Sequence, residues 1–237
     1  FAPTATIIAD IGSGNGISAA AFSFHNYSVI AVEPNKSNTV GSEAILWLKE
    51  KLHLNKLKVL PDSGENLSIP DESCDVVYIR QAMHHASNLN KFISESSRIL
   101  KRGGLLLTVR DHIIFDKSDK KKFLKAHPLH KFYGGENAYR PEEYLQAMAK
   151  ANLKVVEIFR HFDSVINFFP ISIEDLQRMP EIHKENIKKS FSKYTGFHLY
   201  NNLLFRFFTF LYVQKNGKAY DETKIPGRLY SFIAIKN

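Results

Sequence analysis

Residues 6–16 read TIIADIGSGNG, a short apolar run that ends in three alternating glycines. An uninterrupted apolar run of this length predicts a strand buried on both faces, and the glycines predict a sharp turn into a helix. Working outward, residues 28–33 (SVIAVE) predict a second buried strand that Pro34 stops. Residues 57–60, 75–79 and 105–110 predict three more strands. Helices are expected at 15–24, at 37–53 (Val40, Ala44, Leu48 and Leu52 at helical spacing) and at 89–101. In the last of these, Leu89, Phe92, Ile93, Ile99 and Leu100 face inward, and Lys101-Arg102-Gly103-Gly104 ends it. Strands alternating with helices predict an α/β fold, doubly wound, with a mostly parallel sheet. A helix at 141–151, opening on Pro141, and strands at 153–159 and 229–235 bring the sheet to seven strands.

About seventy residues, 160–226, separate the last two strands where a few would suffice. They are rich in Phe and Tyr. The domain reading is therefore a core of 1–159 plus 227–237, with 160–226 as an inserted, aromatic-rich helical subdomain or lid. Within it, NNLLFRFFTFLYV at 201–213 is nearly apolar all round. The expectation is a buried helix or strand; the alternative is a surface for a hydrophobic substrate, a membrane or a dimer partner.

The chain has 237 residues, 44% hydrophobic and 12% aromatic, enough to bury a core. Its one cysteine, Cys74, excludes an internal disulfide and a cysteine-based zinc site. No apolar run reaches membrane-span length, and FAPTATIIAD does not look like a signal peptide, so a cytoplasmic setting is expected. The net charge is +8 and uneven: residues 1–110 carry 11 basic and 10 acidic side chains, residues 111–237 carry 21 and 14. A basic excess favours phosphates, anionic lipids or acidic substrates, or is a solvated lysine-rich surface. The run Asp119-Lys120-Lys121-Lys122 is expected to be a solvated helix start.

The glycine turn admits two cofactors. A dinucleotide fingerprint wants glycine at the first, third and sixth positions, here Gly12, Gly14 and Ile17, so the sixth fails. The spacing acid-x-Gly-x-Gly-x-Gly is met in full by Asp10, Gly12, Gly14 and Gly16. An acid, Glu33, ends the second strand, where a carboxylate can grip both hydroxyls of a ribose. This pattern resembles the first motif of the class I S-adenosylmethionine-dependent methyltransferases. Residues 62–77, Gln81-Ala82-Met83-His84-His85, and Arg98-Ile99-Leu100-Lys101-Arg102-Gly103-Gly104 resemble later segments of that family. The resemblance covers 6–110 well and is strongest to the small-molecule, ubiquinone-methyltransferase-like branch.

The resemblance implies a Rossmann-like methyltransferase fold whose last strand is antiparallel, and S-adenosyl-L-methionine as cofactor. Asp10, Gly12, Ser13 and Gly14 would lie by its methionine part, Glu33 on the ribose, Pro34 beside the adenine, and Ser63 and Gly64 at the adenine edge. Arg80 would offer its carbonyl to the cofactor's amino group. The family often has an acid where Ser63 stands, and Asp62 is the substitute at hand. Family members also carry a helical cover ahead of the first strand. Residue 1 here is Phe, so either the chain is truncated or 112–140 and 160–226 supply the cover.

Candidate catalytic residues follow the fourth and fifth strands, where open α/β sheets bind ligands: His85, Asp111 and His112, with His84 beside them. Arg80 could hold an acidic substrate group. Tyr133, Tyr139, Arg140 and the aromatics at 168–169 are candidates for an acceptor pocket, and Gly134-Gly135 for a flexible loop. No metal is expected; His127-x-x-His130 is the nearest approach to a ligand spacing. The absence of an Asn/Asp-Pro-Pro-aromatic tetrapeptide after the fourth strand argues against adenine-N6 and glutamine methylation. The expected reaction is methyl transfer to a small molecule, by a monomer or homodimer. The alternatives are RNA or protein methylation using the basic half, nucleic acid being the less favoured partner, or a cofactor-binding module without turnover.

Overall fold

A computed structural model describes residues 5–126, 137–200 and 202–237. Strand β1 (Ile7–Ile11) is buried along most of its length and leads through residues 12–16 into α1 (Ile17–Phe24). Then follow β2 (Ser28–Val32), α2 (Ser42–Lys51), β3 (Leu57–Leu60), β4 (Cys74–Arg80), a single turn at Met83–His85, α3 (Leu89–Ile99) and β5 (Leu100–Ile113). The chain continues as α4 (Lys117–Ala126), α5 (Pro141–Lys150), β6 (Leu153–Phe159) and a short α6 (Val165–Phe168). Two long helices, α7 (Ile173–Thr195) and α8 (Leu203–Asn216), precede β7 (Arg228–Lys236).

The seven strands form one sheet in the order β3-β2-β1-β4-β5-β7-β6. The first five run parallel; β7 is antiparallel and slots between β5 and β6. This is the Rossmann-like methyltransferase arrangement. The order reverses between β1 and β4, and at such a switch point the loops leave in opposite directions and open a crevice beyond the strand ends. Register aligns Asp10 with Tyr78 across β1–β4, and Arg80 with Val109 across β4–β5, so these residues reach the same end of the sheet.

One face is covered by α3 and α5, where Phe92, Ile93, Tyr144 and Met148 pack against Ile79, Leu106 and Phe232. Helices α1 and α2 cover β2 and β3 on the other face through Ala19, Ala20 and Ile45. Asn88 caps α3, its side chain accepting the Lys91 N–H at 3.0 Å. Pro141 opens α5, where the Glu143 carboxylate takes the Arg140 N–H.

Several expectations are corrected. The third helix ends at Ile99, and the strand begins at Leu100 because the main chain there pairs with Cys74. The strand runs on to Ile113 because β7 pairs with its far half. Val40 lies outside α2 and is exposed, as is Leu52; α2 turns Ala44 and Ile45 inward instead. Asp119 is no solvated helix start: α4 begins at Lys117, and Asp119 is buried against Arg228, itself fully buried. That guanidinium also donates to the carbonyls of Glu222 and Ile225 and stacks over Phe115. Helix α8 has no buried residue, so 201–213 is not a buried element.

Candidate functional site

The turn after β1 is built from backbone. Gly12, Gly14 and Gly16 all take positive φ (71°, 56° and 80°), which L side chains rarely adopt. Space is the second constraint at Gly12, where a Cβ would lie 2.5 Å from that of Ala82, so the β1 and β4 loops touch. The Gly12 and Ser13 N–H groups donate to the Val32 carbonyl, pinning the turn to β2. Gly16 at the N-cap of α1 offers no side chain, the Asn15 Oδ1 lies 3.5 Å from the Ile17 N–H, and the Ala19 N–H is directed at Asp10.

Two carboxylates border this turn. Glu33 is buried and accepts the N–H of Gly14 (2.8 Å, Oε2) and of Asn35 (2.9 Å, Oε1). A carboxylate has about four acceptor positions, so each oxygen keeps one. Asp10 is buried, and its Oδ2 has no hydrogen-bond partner among the described residues. Burial is the main cause that raises its carboxyl to about 7; the Glu33 charge adds to this, and the Ser13 hydroxyl and the Arg80 charge work against it.

Pro34 is exposed beside Glu33. Ser63 and Gly64 are half-buried in the loop after β3, and Gly64 is tight against Phe92, whose ring a Cβ would meet at 2.0 Å. Asp62 is turned away to Ser68, accepting its N–H at 2.6 Å. Ser63 therefore keeps that edge to itself.

At the ends of β4 and β5 the structure gathers four histidine and aspartate side chains. His84 and Asp111 are buried and paired, with Nδ1 3.0 Å from Oδ1, and the His84 N–H donates to the same oxygen at 3.1 Å. Asp111 Oδ2 has no hydrogen-bond partner among the described residues. The His84 ring stacks on His85 (4.2 Å between centroids) and meets the edge of His112 at 4.6 Å. His85 is exposed. His112 Nδ1 lies 2.7 Å from the Gly227 carbonyl oxygen, which can only accept. Nδ1 therefore carries the hydrogen, and in the neutral ring Nε2 is the basic nitrogen.

Arg110, in the left-handed region (φ 60°), sits where β5 and β7 lose register. Its guanidinium donates to the carbonyls of Ile166 and Phe169, while its Nε has no partner. Burial, with the nearby Arg80 charge, lowers its affinity for the proton. Arg80 itself is exposed at the end of β4. Neither arginine has a carboxylate partner among the described residues. Tyr139 donates to the Ala86 carbonyl at 2.5 Å, Arg140 is occupied with Glu143, and Phe168 is core while Phe169 is exposed. Tyr133, Gly134-Gly135 and His127-x-x-His130 lie outside the described residues. The sequence named His84 only beside His85, although β4 and β5 are neighbours and their following residues must meet; it passed over Arg110, which could have been found as a charge at a strand end.

Comparison with known proteins bears on this geometry. Residues 9–108 match the sequence pattern described as a methyltransferase domain. Over that stretch the chain is similar to the class I S-adenosylmethionine-dependent methyltransferases. The uncharacterized methyltransferase YcgJ of Bacillus subtilis is 32% identical over 105 residues, 44% of this chain and 40% of that relative. A ubiquinone biosynthesis O-methyltransferase of Rickettsia prowazekii is 30% identical over 100 residues, 42% of this chain and 38% of its own. The chain thus spans less than half the length of these two curated relatives. The crystal structure of YcgJ superposes with a TM-score of 0.60 at 19% identity, covering 98% of this chain and 92% of that one. Geranyl diphosphate C-methyltransferase from Streptomyces coelicolor A3(2), solved with Mg2+, geranyl diphosphate and S-adenosyl-L-homocysteine, gives 0.64 at 14% identity, over 99% and 74%. These superpositions establish the methyltransferase fold. S-adenosyl-L-methionine is the cofactor of this domain family.

Proposed function

We propose that this chain transfers a methyl group from S-adenosyl-L-methionine to a small-molecule acceptor. The observation that carries the reading is the pairing of an orphaned, buried Asp10 oxygen with a side-chain-free turn, one strand from a Glu33 that keeps acceptor capacity. The residues fit the cofactor. Asp10 offers a buried acceptor to an amino group, with Gly12, Ser13 and Gly14 close by. Glu33 offers two oxygens to a diol, and Pro34, Ser63 and Gly64 border a flat, apolar group. The Arg80 carbonyl offers a further acceptor. When bound, the cofactor supplies an electrophilic methyl on a sulfonium.

The chain's own residues then have to hold the acceptor in line and exclude water, which supplies most of the effect in such a displacement. His112 is the candidate base where the acceptor carries a proton, its ring held by the Gly227 carbonyl at Nδ1. Asp111 acts through His84, whose ring it orients and which packs on His112, so both are positioning residues; His85 is the exposed member beside them. Arg80 and Arg110, lacking carboxylate partners, favour an acceptor with an acidic group. A small molecule suits these few closely set groups, and RNA or a protein chain is the outcome that would replace it. Residues 160–226 are read as an inserted unit that covers this end of the sheet through α6, held there by Arg110.

The test is calorimetry with S-adenosyl-L-methionine, S-adenosyl-L-homocysteine and NADH, followed by transfer of labelled methyl into a metabolite extract, tRNA and total protein. Binding of the two sulfur nucleosides with label in the metabolite fraction is expected. Binding of NADH alone would overturn the cofactor, and label only in RNA or protein would overturn the acceptor.

A further inference from the structure

Helices α7 and α8 form a hairpin that is apolar on both sides of α8. The inner side packs on α7: Phe191 meets Phe205 and Phe208 edge to face, and Tyr212 lies against His183. The outer side is also apolar, and it is left uncovered among the described residues. Leu203 is 82% exposed, Phe207 60% and Phe210 58%, spaced three or four residues apart along one stripe. The stripe continues into the connection between the helices, where Phe197 is 56% and Leu199 72% exposed. Scattered exposed apolar residues need no explanation, but a continuous aromatic and leucine stripe does.

The charge around the stripe says what covers it. Residues 184–218 contain seven lysines and arginines and one acid, Glu185. Lys189 and Lys193 are exposed on the last turns of α7, and Arg206 on the first turn of α8, so positive charge rings the apolar tip. A second copy on the same face would bring two such rings together across a two-fold axis, like against like. An anionic lipid surface instead meets the lysines at its headgroups and the Phe and Leu side chains at the acyl boundary. No helix among the described residues is long and apolar enough to cross a membrane. Attachment would therefore lie in the plane of the interface.

We infer that the α7–α8 hairpin is a docking surface for an anionic phospholipid bilayer, with Lys193 at the headgroups and Phe207 and Phe210 at the acyl boundary. This goes beyond the methyl-transfer reading and does not depend on it. It adds that the crevice works beside a lipid surface, whatever acceptor it takes.

The experiment is flotation of the full chain with vesicles of phosphatidylcholine alone, or with about a third phosphatidylglycerol. Binding to the anionic vesicles is expected, weaker by about tenfold or more on phosphatidylcholine and at high salt. Two double variants are compared, Phe207→Ser with Phe210→Ser, and Lys189→Glu with Lys193→Glu. All four side chains are exposed, so melting temperature and cofactor affinity should stay unchanged while vesicle binding falls about tenfold or more in each. Wild-type protein that floats with neither vesicle would overturn the inference, as would binding that ignores salt and both variants. Concentration-dependent dimerisation that the phenylalanine variant abolishes, without vesicle binding, would assign the face to a second copy. The salt series on the wild-type chain decides the matter even if a variant fails to fold. Retained nucleoside binding in a chain that never floats would sink this inference alone.

Discussion

Replacing Asp10 with asparagine tests the physical basis of the cofactor crevice without the acceptor being known. Burial raises this carboxyl from an ordinary 3.8 to about 7. At about 1.4 kcal/mol per unit, the shift corresponds to about 4 kcal/mol. The sign follows from which state holds the proton. Between about pH 4 and pH 7 the folded protein keeps a proton that the unfolded chain has released, so stability falls as pH rises through that window. Above it, the whole cost of a buried, half-satisfied carboxylate remains. An amide in its place cannot ionise and is nearly the same shape. Asp10→Asn should therefore match the wild type near pH 4 and exceed it by up to about 4 kcal/mol at pH 8, a rise of roughly 10 °C in melting temperature for a chain of this size. Urea unfolding followed by circular dichroism across that range measures it. The same substitution should weaken S-adenosyl-L-homocysteine binding at pH 8, trading function for stability. Parallel stability curves for the two proteins, or a less stable variant at pH 8, would refute the reasoning.

Three further outcomes follow from the geometry. Gly12→Ala puts a Cβ 2.5 Å from that of Ala82 at a φ of 71°, and should cost about 1–3 kcal/mol while lowering nucleoside affinity, read by thermal melting and calorimetry. Glu33→Gln keeps the shape but presents an amide NH2 to one of two N–H donors, so it should destabilise by about 1–3 kcal/mol in denaturant titration even before the lost ribose grip is measured. Asp119→Ala leaves Arg228 buried without its carboxylate and should cost about 3–5 kcal/mol, whereas Asp119→Leu combined with Arg228→Met should recover much of that.

The turn and carboxylates proposed to hold the cofactor could be picked out in the sequence because they are neighbours in the chain. Residues 10–16 form one turn, and Glu33 follows the next strand, so an apolar run, three glycines and an acid sufficed. The order of the first five strands, with their helices, was legible for the same reason. What the sequence hid depends on which strands lie side by side. That Asp111 would meet His84 rather than His85 is decided by the β4–β5 register and by the turn at Met83–His85. Arg228 reads as an ordinary charge opening a strand, and Asp119 as one acid in a lysine run; only the fold brings them together across 109 residues. The apolar segment at 201–213 misled because composition marks what prefers to leave water but not what it leaves water for.

The ends of β4 and β5, proposed as the acceptor side, differ from the glycine turn in one respect: they are held by residues from the far end of the chain. At the β5 irregularity the Arg110 N–H leaves the ladder and donates to the Ser231 hydroxyl at 3.1 Å. That hydroxyl donates to Asn167 Oδ1 at 2.6 Å, and the Asn167 amide donates to the carbonyls of Phe159 and Arg160. The same arginine reaches back through its guanidinium to Ile166 and Phe169. Asn167 is fully buried, so this chain of bonds is shielded from water and each loss leaves an unpaired group behind. Arg110, Asp111 and His112 are consecutive, and their backbone cannot be repositioned singly. Whatever moves α6 therefore moves the acceptor side of the crevice, while the glycine turn, anchored to β2, stays where it is. On this reasoning the segment leading to the α7–α8 hairpin is one part of the 160–226 insertion mechanically joined to Arg110, and the segment after it, through Glu222 and Ile225 on Arg228, is another. A contact made by the hairpin can reach this end of the sheet from α6 through Asn167 and Arg110, and from the stretch after α8 through the Gly227 carbonyl on His112 and the Glu222 and Ile225 carbonyls on Arg228.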